Sequence, residues 1–150
     1  MFVPEVTFDD VSRAAQRIEG AVENTPFTHS RTLSAITGAQ VHLKFENLQY
    51  TGSFKERGAR NRLLDIPTGS GVIAMSAGNH AQGVAYHGAQ LGLHTTIVMP
   101  ETTPFVKVAR TRDLGAVVEL AGDDVAAAAI EARRLADERG LEFILSLIHI

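Results

Sequence analysis

The chain has 150 residues, 45% hydrophobic and 21% charged, with a net charge of −3. That suits one globular domain with a real core and gives no electrostatic reason to expect nucleic acid or an anionic membrane surface as partner. Cysteine is absent, which excludes disulfides, zinc–thiolate sites and thiol nucleophiles.

Met1-Phe2-Val3-Pro4-Glu5 is not a basic region leading into an apolar run, and no apolar stretch approaches bilayer length. Neither a signal peptide nor a membrane span is expected, and the cytoplasm is the expected location. Thr7 and Asp10 have capping-box spacing. Phe8, Val11, Ala14, Ala15 and Ile18 follow at helical period up to Gly20, which predicts an amphipathic helix. Residues 24–31 read as extended, since Pro26 forbids helix there. A short helix is expected from Thr32 to Thr37, stopped by Gly38. Val41, Leu43 and Phe45 alternate with His42, Lys44 and Glu46, the pattern of a half-buried strand.

A tight Thr51-Gly52 turn then leads into a helix predicted to start at Ser53, with Ser53 and Glu56 in capping-box relation. Lys55 falls in the first turn of that helix, where the positive end of the helix dipole disfavours an ammonium. An uncharged amine is what carbonyl chemistry requires, because only the neutral form attacks an aldehyde to make a Schiff base. The ordinary reading of such a residue is a solvated lysine beside a helix cap.

From Val72 the rhythm is strand, glycine turn, helix, repeated. Strands are expected at 72–75, 94–99, 116–120 and 141–144. Helices are expected from the Ser76 loop to about Leu91, from Pro104 to about Leu114, and from Asp123 or Asp124 to Gly140. The last helix has Val125, Ala128, Ala129, Ala132, Leu135 and Ala136 as its core face. Short apolar strands alternating with helices predict an α/β fold with a parallel sheet.

In such sheets ligands sit at the carboxyl ends of the strands. Ser76-Ala77-Gly78-Asn79-His80 occupies such a place, where helix N–H groups and the Ser76 hydroxyl can hold an anion. A plain Ser76 or Asn79 helix cap is the alternative, and the better one for this segment taken alone. Gly78 to Gly83 has phosphate-loop spacing, but Val84-Ala85 stands where Lys and Ser/Thr are needed. The histidines and acids form no metal-ligand pattern, so no metal is expected. Gly83 and Gly88 are expected to let their helix pack closely on the sheet.

The block Glu46-Asn47-Leu48-Gln49, Thr51-Gly52-Ser53-Phe54-Lys55 and Arg57-Gly58-Ala59 resembles the cofactor-lysine segment of the threonine dehydratase (threonine ammonia-lyase) family. These are fold type II enzymes that use pyridoxal 5'-phosphate. The block from Ser76 to Ala85 resembles the same family's substrate-carboxylate loop, and the likeness runs from about Thr25 to about Phe143. It implies a tryptophan synthase β-like architecture, a parallel sheet flanked by helices, here truncated. It also implies dehydration and deamination of L-threonine, and of L-serine, to 2-oxobutanoate or pyruvate and ammonia.

By the same resemblance Lys55 is the Schiff-base lysine that later moves the Cα proton. Phe54 packs against the cofactor ring, and Asn79 bonds its 3'-oxygen. Ser76, Gly78, Asn79 and His80 bind the amino-acid substrate. Ala77 stands where the related serine racemases carry a second serine, and a methyl group cannot carry a proton, so dehydration is expected over racemisation. Threonine synthase or serine racemase of the same fold, or a non-catalytic binding module, are the alternatives.

The resemblance further implies a homo-oligomer, dimer or tetramer, with no nucleic-acid or membrane partner. It assigns residues 1–52 to an incomplete large domain and 53–144 to a small α/β domain. The family's phosphate loop and pyridine-nitrogen partner lie further along than residue 150, so the 150-residue chain is expected to be inactive as a fragment. Leu145, Leu147, Ile148 and Ile150 replace the family's crossing segment, and residues 145–150 are expected to be a non-native or truncated tail.

Overall fold

A computed structural model describes residues 6–146. Its first unit is small. Helix α1 (Phe8–Arg17) carries a complete Thr7–Asp10 capping box. Strands β1 (Phe27–His29) and β2 (His42–Lys44) pair antiparallel with Phe27 opposite Lys44. Between them α2 (Arg31–Thr37) starts on the Ser30 hydroxyl and ends at Gly38, whose φ of 72° suits the left-handed closing residue of a helix. A 3-10 turn at Glu46–Leu48 follows β2.

The second unit holds most of the core. Helix α3 (Lys55–Leu63) leads to β3 (Gly71–Met75), α4 (Asn79–Gln90), β4 (His94–Met99), α5 (Phe105–Asp113), β5 (Val117–Leu120), α6 (Val125–Arg139) and β6 (Glu142–Phe143). The sheet order is β5-β4-β3-β6, and every pairing is parallel. Alternation along the strands sorts the two faces. Val72, Ala74, Ile97 and Met99 pack with Ala59, Leu63, Ala81, Val84, Ala85 and Val108 of α3, α4 and α5. Ile73 and Val98 face the other way, onto Ala128, Ala132, Leu135 and Ala136 of α6.

Asp124 caps α6, its carboxylate accepting from Ala127 N–H at 2.8 Å. Val125, expected on the core face, is instead 60% exposed. Helix α6 lies on β3, β4 and β6, and Val125 sits a turn ahead of the residues that meet them. Of the expected tail, residues 147–150 lie outside the described residues.

The two helical glycines do different work. A Cβ at Gly88 would lie 2.1 Å from Thr95 Oγ1 on β4, so this glycine lets α4 approach the sheet. Gly83 faces α3 instead, where a Cβ would come 3.4 Å from the Lys55 carbonyl and the Glu56 nitrogen. Replacing Gly88 by alanine is expected to destabilise by about 1–2 kcal/mol: overpacking costs roughly 1–3 kcal/mol, and alanine's helix preference returns up to about 1. In a Thr95→Ala background the same change should be neutral or stabilising. Urea midpoints of the four proteins check this.

Candidate functional site

β3 leads through α4 and α5 to β4 and β5 on one side, while α6 returns the chain across the opposite face to β6 on the other. The carboxyl ends of β3 and β6 therefore flank a topological switch point, the place where open α/β sheets bind ligands. Residues 76–78 emerge there from β3, and residues 144–146 from β6.

The Lys55 segment reaches the same place from α3. Lys55 Nζ donates to the Ser146 carbonyl at 3.0 Å and lies 5.2 Å from the centroid of the exposed Phe54 ring. His80, buried in the first turn of α4, puts Nε2 3.1 Å from the Ile144 carbonyl. Lys55 and His80 thus converge on the chain that leaves β6. Ser76 Oγ accepts from Gly78 N–H at 3.2 Å, closing a tight loop before α4. Among the described residues no side chain caps α4, so its leading N–H groups are available to an anion. Asn79 is exposed at that helix start, and a Cβ built on Gly78 would meet none of the described residues within 4 Å. The sequence-predicted residues Phe54, Lys55, Ser76, Gly78, Asn79 and His80 are all on the segments that form this end of the sheet.

The predicted capping box is corrected. Helix α3 begins at Lys55, with Phe54 in its cap position and no side-chain cap. Ser53 Oγ accepts from Lys55 N–H at 3.3 Å. The Glu56 carboxylate reaches past Ser53 to accept from Thr51 N–H. It is drawn there because Glu56 is only 1% exposed and faces His87 of α4, Nε2 to Oε2 3.5 Å. A buried carboxylate takes the donors the interior offers.

A second network escaped the sequence reading. Arg57 grips Glu46 with two nitrogens, Nε and Nη2, each 2.8 Å from a carboxylate oxygen. Thr25 Oγ1 adds a bond to the same carboxylate at 2.6 Å. Gln49 donates to it at 3.3 Å and exchanges two bonds with the Glu23 backbone. The Arg57 guanidinium holds the Glu46 carboxyl at about 2, well below the usual carboxylate range, against a desolvation cost that works upward. The signal was a pair of opposite charges bracketing the Thr51-Gly52 turn. Reading it required knowing that the turn brings 46 and 57 together.

Away from the switch point, a cleft of about 440 Å³ opens at the amino ends of β3 and β6, lined by Arg62, Asp65, Ser70 and Glu142. No lysine lines it, and it is remote from Lys55. Among the described residues no group of acids and histidines could hold a metal ion, and no helix is long and apolar enough to cross a membrane.

The chain matches the family described as "Pyridoxal-phosphate dependent enzyme" over residues 18–147. It is 46% identical over 146 residues to an L-threo-3-hydroxyaspartate ammonia-lyase of a Pseudomonas species, covering 95% of this chain and 46% of that protein. It is 42% identical to an L-threonine ammonia-lyase of Thermotoga maritima, covering 93% and 35%. The structure of maize serine racemase superposes with a TM-score of 0.84 at 29% identity, over 94% of this chain and 44% of that one. The chain thus spans less than half the length of these relatives.

Proposed function

The chain belongs to the family of pyridoxal-phosphate-dependent enzymes, and from that premise we propose that the whole protein is an ammonia-lyase acting on L-threonine or L-serine, with Lys55 as its cofactor lysine. The observation that carries this reading is the convergence of Lys55 with the uncapped start of α4 at the switch point of the sheet. The residues fit the cofactor. Lys55 offers the amine that its aldehyde requires, the exposed Phe54 offers a face for its ring, and Asn79 offers a side chain for its 3'-oxygen. Among the described residues, Gly78 leaves open the space a side chain would fill.

Pyridoxal phosphate, when bound, supplies an electron sink that stabilises negative charge at Cα. The protein's own groups do the rest. The Ser76–Asn79 loop and the first N–H groups of α4 hold the substrate carboxylate, with His80 supporting the loop from its bond to Ile144. That grip turns the Cα–H bond toward Lys55, whose amine takes and holds the proton. The β-hydroxyl leaves as water, carrying off the proton that Lys55 took from Cα. The enamine that remains takes up a proton and water, ending as 2-oxo acid and ammonium.

Borohydride reduction of the cofactor-loaded whole protein, followed by peptide mapping, is expected to find the pyridoxyl group on Lys55; any other lysine defeats the assignment. Release of 2-oxobutanoate from threonine tests the reaction. The Pseudomonas relative makes 3-hydroxyaspartate a second substrate to assay, with oxaloacetate as its product. Ala77 weighs against racemisation, since its methyl group cannot exchange a proton, and absence of D-serine from L-serine checks that. We also place residues 1–52, with the antiparallel pair, in a larger domain and residues 53–144 in a smaller one, a division the separate sheets support.

A further inference from the structure

One buried titratable pair is left unused by this reaction. Glu56 directly follows Lys55, and His87 lies one turn after Gly83 in α4; they are 1% and 0% exposed. Glu56 Oε1 accepts the Thr51 N–H, and Oε2 stands 3.5 Å from His87 Nε2. A carboxylate between two packed helices is costly to desolvate, and apolar side chains of similar volume are commonly as good for stability. Its presence asks for a role other than stability.

We propose that Glu56 and His87 are a positioning pair for Lys55. Glu56 holds the turn at 51–54 through the Thr51 N–H, and that turn delivers Lys55. His87 faces the same carboxylate from α4, the helix that starts at the Ser76–Asn79 loop. Gly83 of α4 lies beside the Lys55–Glu56 peptide, whose atoms would stand 3.4 Å from a Cβ built on it. Lys55 and the loop opposite it are thereby set by one carboxylate shared between two helices. Burial pushes the His87 ring below its ordinary pKa and nearby Arg60 adds to this, with Glu56 and Gln90 acting in the opposite direction. The ring is therefore neutral at pH 7, and the tautomer protonated on Nε2 is the one that suits the carboxylate facing it. Among the described residues no hydrogen bond of ordinary geometry reaches either ring nitrogen, so the neutral His87 ring meets the Glu56 carboxylate as a dipole at 3.5 Å.

The inference rests on Lys55 being the cofactor lysine, and the test separates the two. In the whole protein, Glu56→Ala and Glu56→Gln are compared with the unaltered chain by amide exchange at Thr51 and by the rate at which added pyridoxal phosphate is trapped on Lys55 by borohydride. For Glu56→Ala, Thr51 exchange is expected to rise and trapping to slow, each by about tenfold or more, as befits loss of a bond to a charged acceptor. Glutamine keeps an acceptor oxygen and should restore most of both. Trapping at the unaltered rate in Glu56→Ala, with Thr51 exchanging freely, overturns the positioning role. So does slow trapping in Glu56→Gln with Thr51 still protected. If Glu56→Ala does not fold, His87→Gln takes its place: slowed trapping supports the pair, and an unchanged rate overturns it. A pyridoxyl group on another lysine of the unaltered protein defeats the Lys55 reading and the proposal with it, while the Thr51 exchange still reports on the bond itself.

Discussion

Lys55→Ala in the whole protein is expected to lower kcat for threonine by at least about 10³-fold while leaving the fold intact. On the proposed assignment two functions disappear together: the amine that anchors the cofactor, and the base that carries the Cα proton. General acid–base catalysis alone contributes roughly 10²–10⁴-fold. The stability side is small because Lys55 is only half-buried and its side-chain bond is to one backbone carbonyl, that of Ser146. A change within about 0.5 kcal/mol is expected for such a site. Lys55→Arg should fare no better, since a guanidinium stays protonated and cannot act as the amine. Added small primary amines should raise the rate of Lys55→Ala if proton transfer is part of the role. Wild-type turnover by Lys55→Ala would remove the residue from the chemistry altogether.

The second large effect is on stability, and it sits on the other side of the same turn. Glu46→Ala is expected to destabilise by about 2–3 kcal/mol, since it strands the Arg57 guanidinium and removes an acceptor from Thr25 and Gln49. The Glu46 side chain is 15% exposed and that of Arg57 33%, so the pair escapes most of the screening that makes surface ion pairs worth little. The pH dependence has a definite sign. The folded carboxyl titrates at about 2, against 4.5 for the unfolded chain. Between these values the unfolded chain binds more protons, so the contribution is complete above about pH 4.5 and is lost as pH falls toward 2. At about 1.36 kcal/mol per pKa unit the ceiling is near 3 kcal/mol, and solvent around Arg57 brings it to roughly 2. Urea unfolding at pH 7 and at pH 3 measures it: the gap between wild type and Glu46→Gln should narrow at the lower pH. A gap of equal size at both would mean that the charge is not what matters.

Glu46 and Glu56 brace the same turn from positions on either side of it. Each carboxylate ties down one flank of residues 47–55, Glu46 through the Arg57 guanidinium and Glu56 through the Thr51 N–H. As the proposed cofactor lysine, Lys55 starts α3 directly after this turn and depends on such support, because an unsupported loop samples geometries in which the amine points elsewhere.

Near-neighbour information was legible in the residues alone. The Thr7–Asp10 box, the Gly38 and Gly140 helix ends, the Asp124 cap and the strand at His94–Met99 all stand where periodicity and turn chemistry put them. Each depends on contacts within a few residues, which the order of side chains specifies. So does the glycine-rich spacing that placed Ser76–Asn79 between a strand and a helix. The strand order β5-β4-β3-β6, the return of α6 over the opposite face and the meeting of Lys55 with residues 144–146 were decided only by the folded chain. They join positions up to 91 residues apart, where no local pattern chooses among partners. The displaced Ser53 cap shows the competition directly. Its box was available to Glu56 by spacing, but burial against His87 and the free Thr51 N–H drew the carboxylate inward, because a charge taken out of water goes to the nearest donors that the packed interior leaves it.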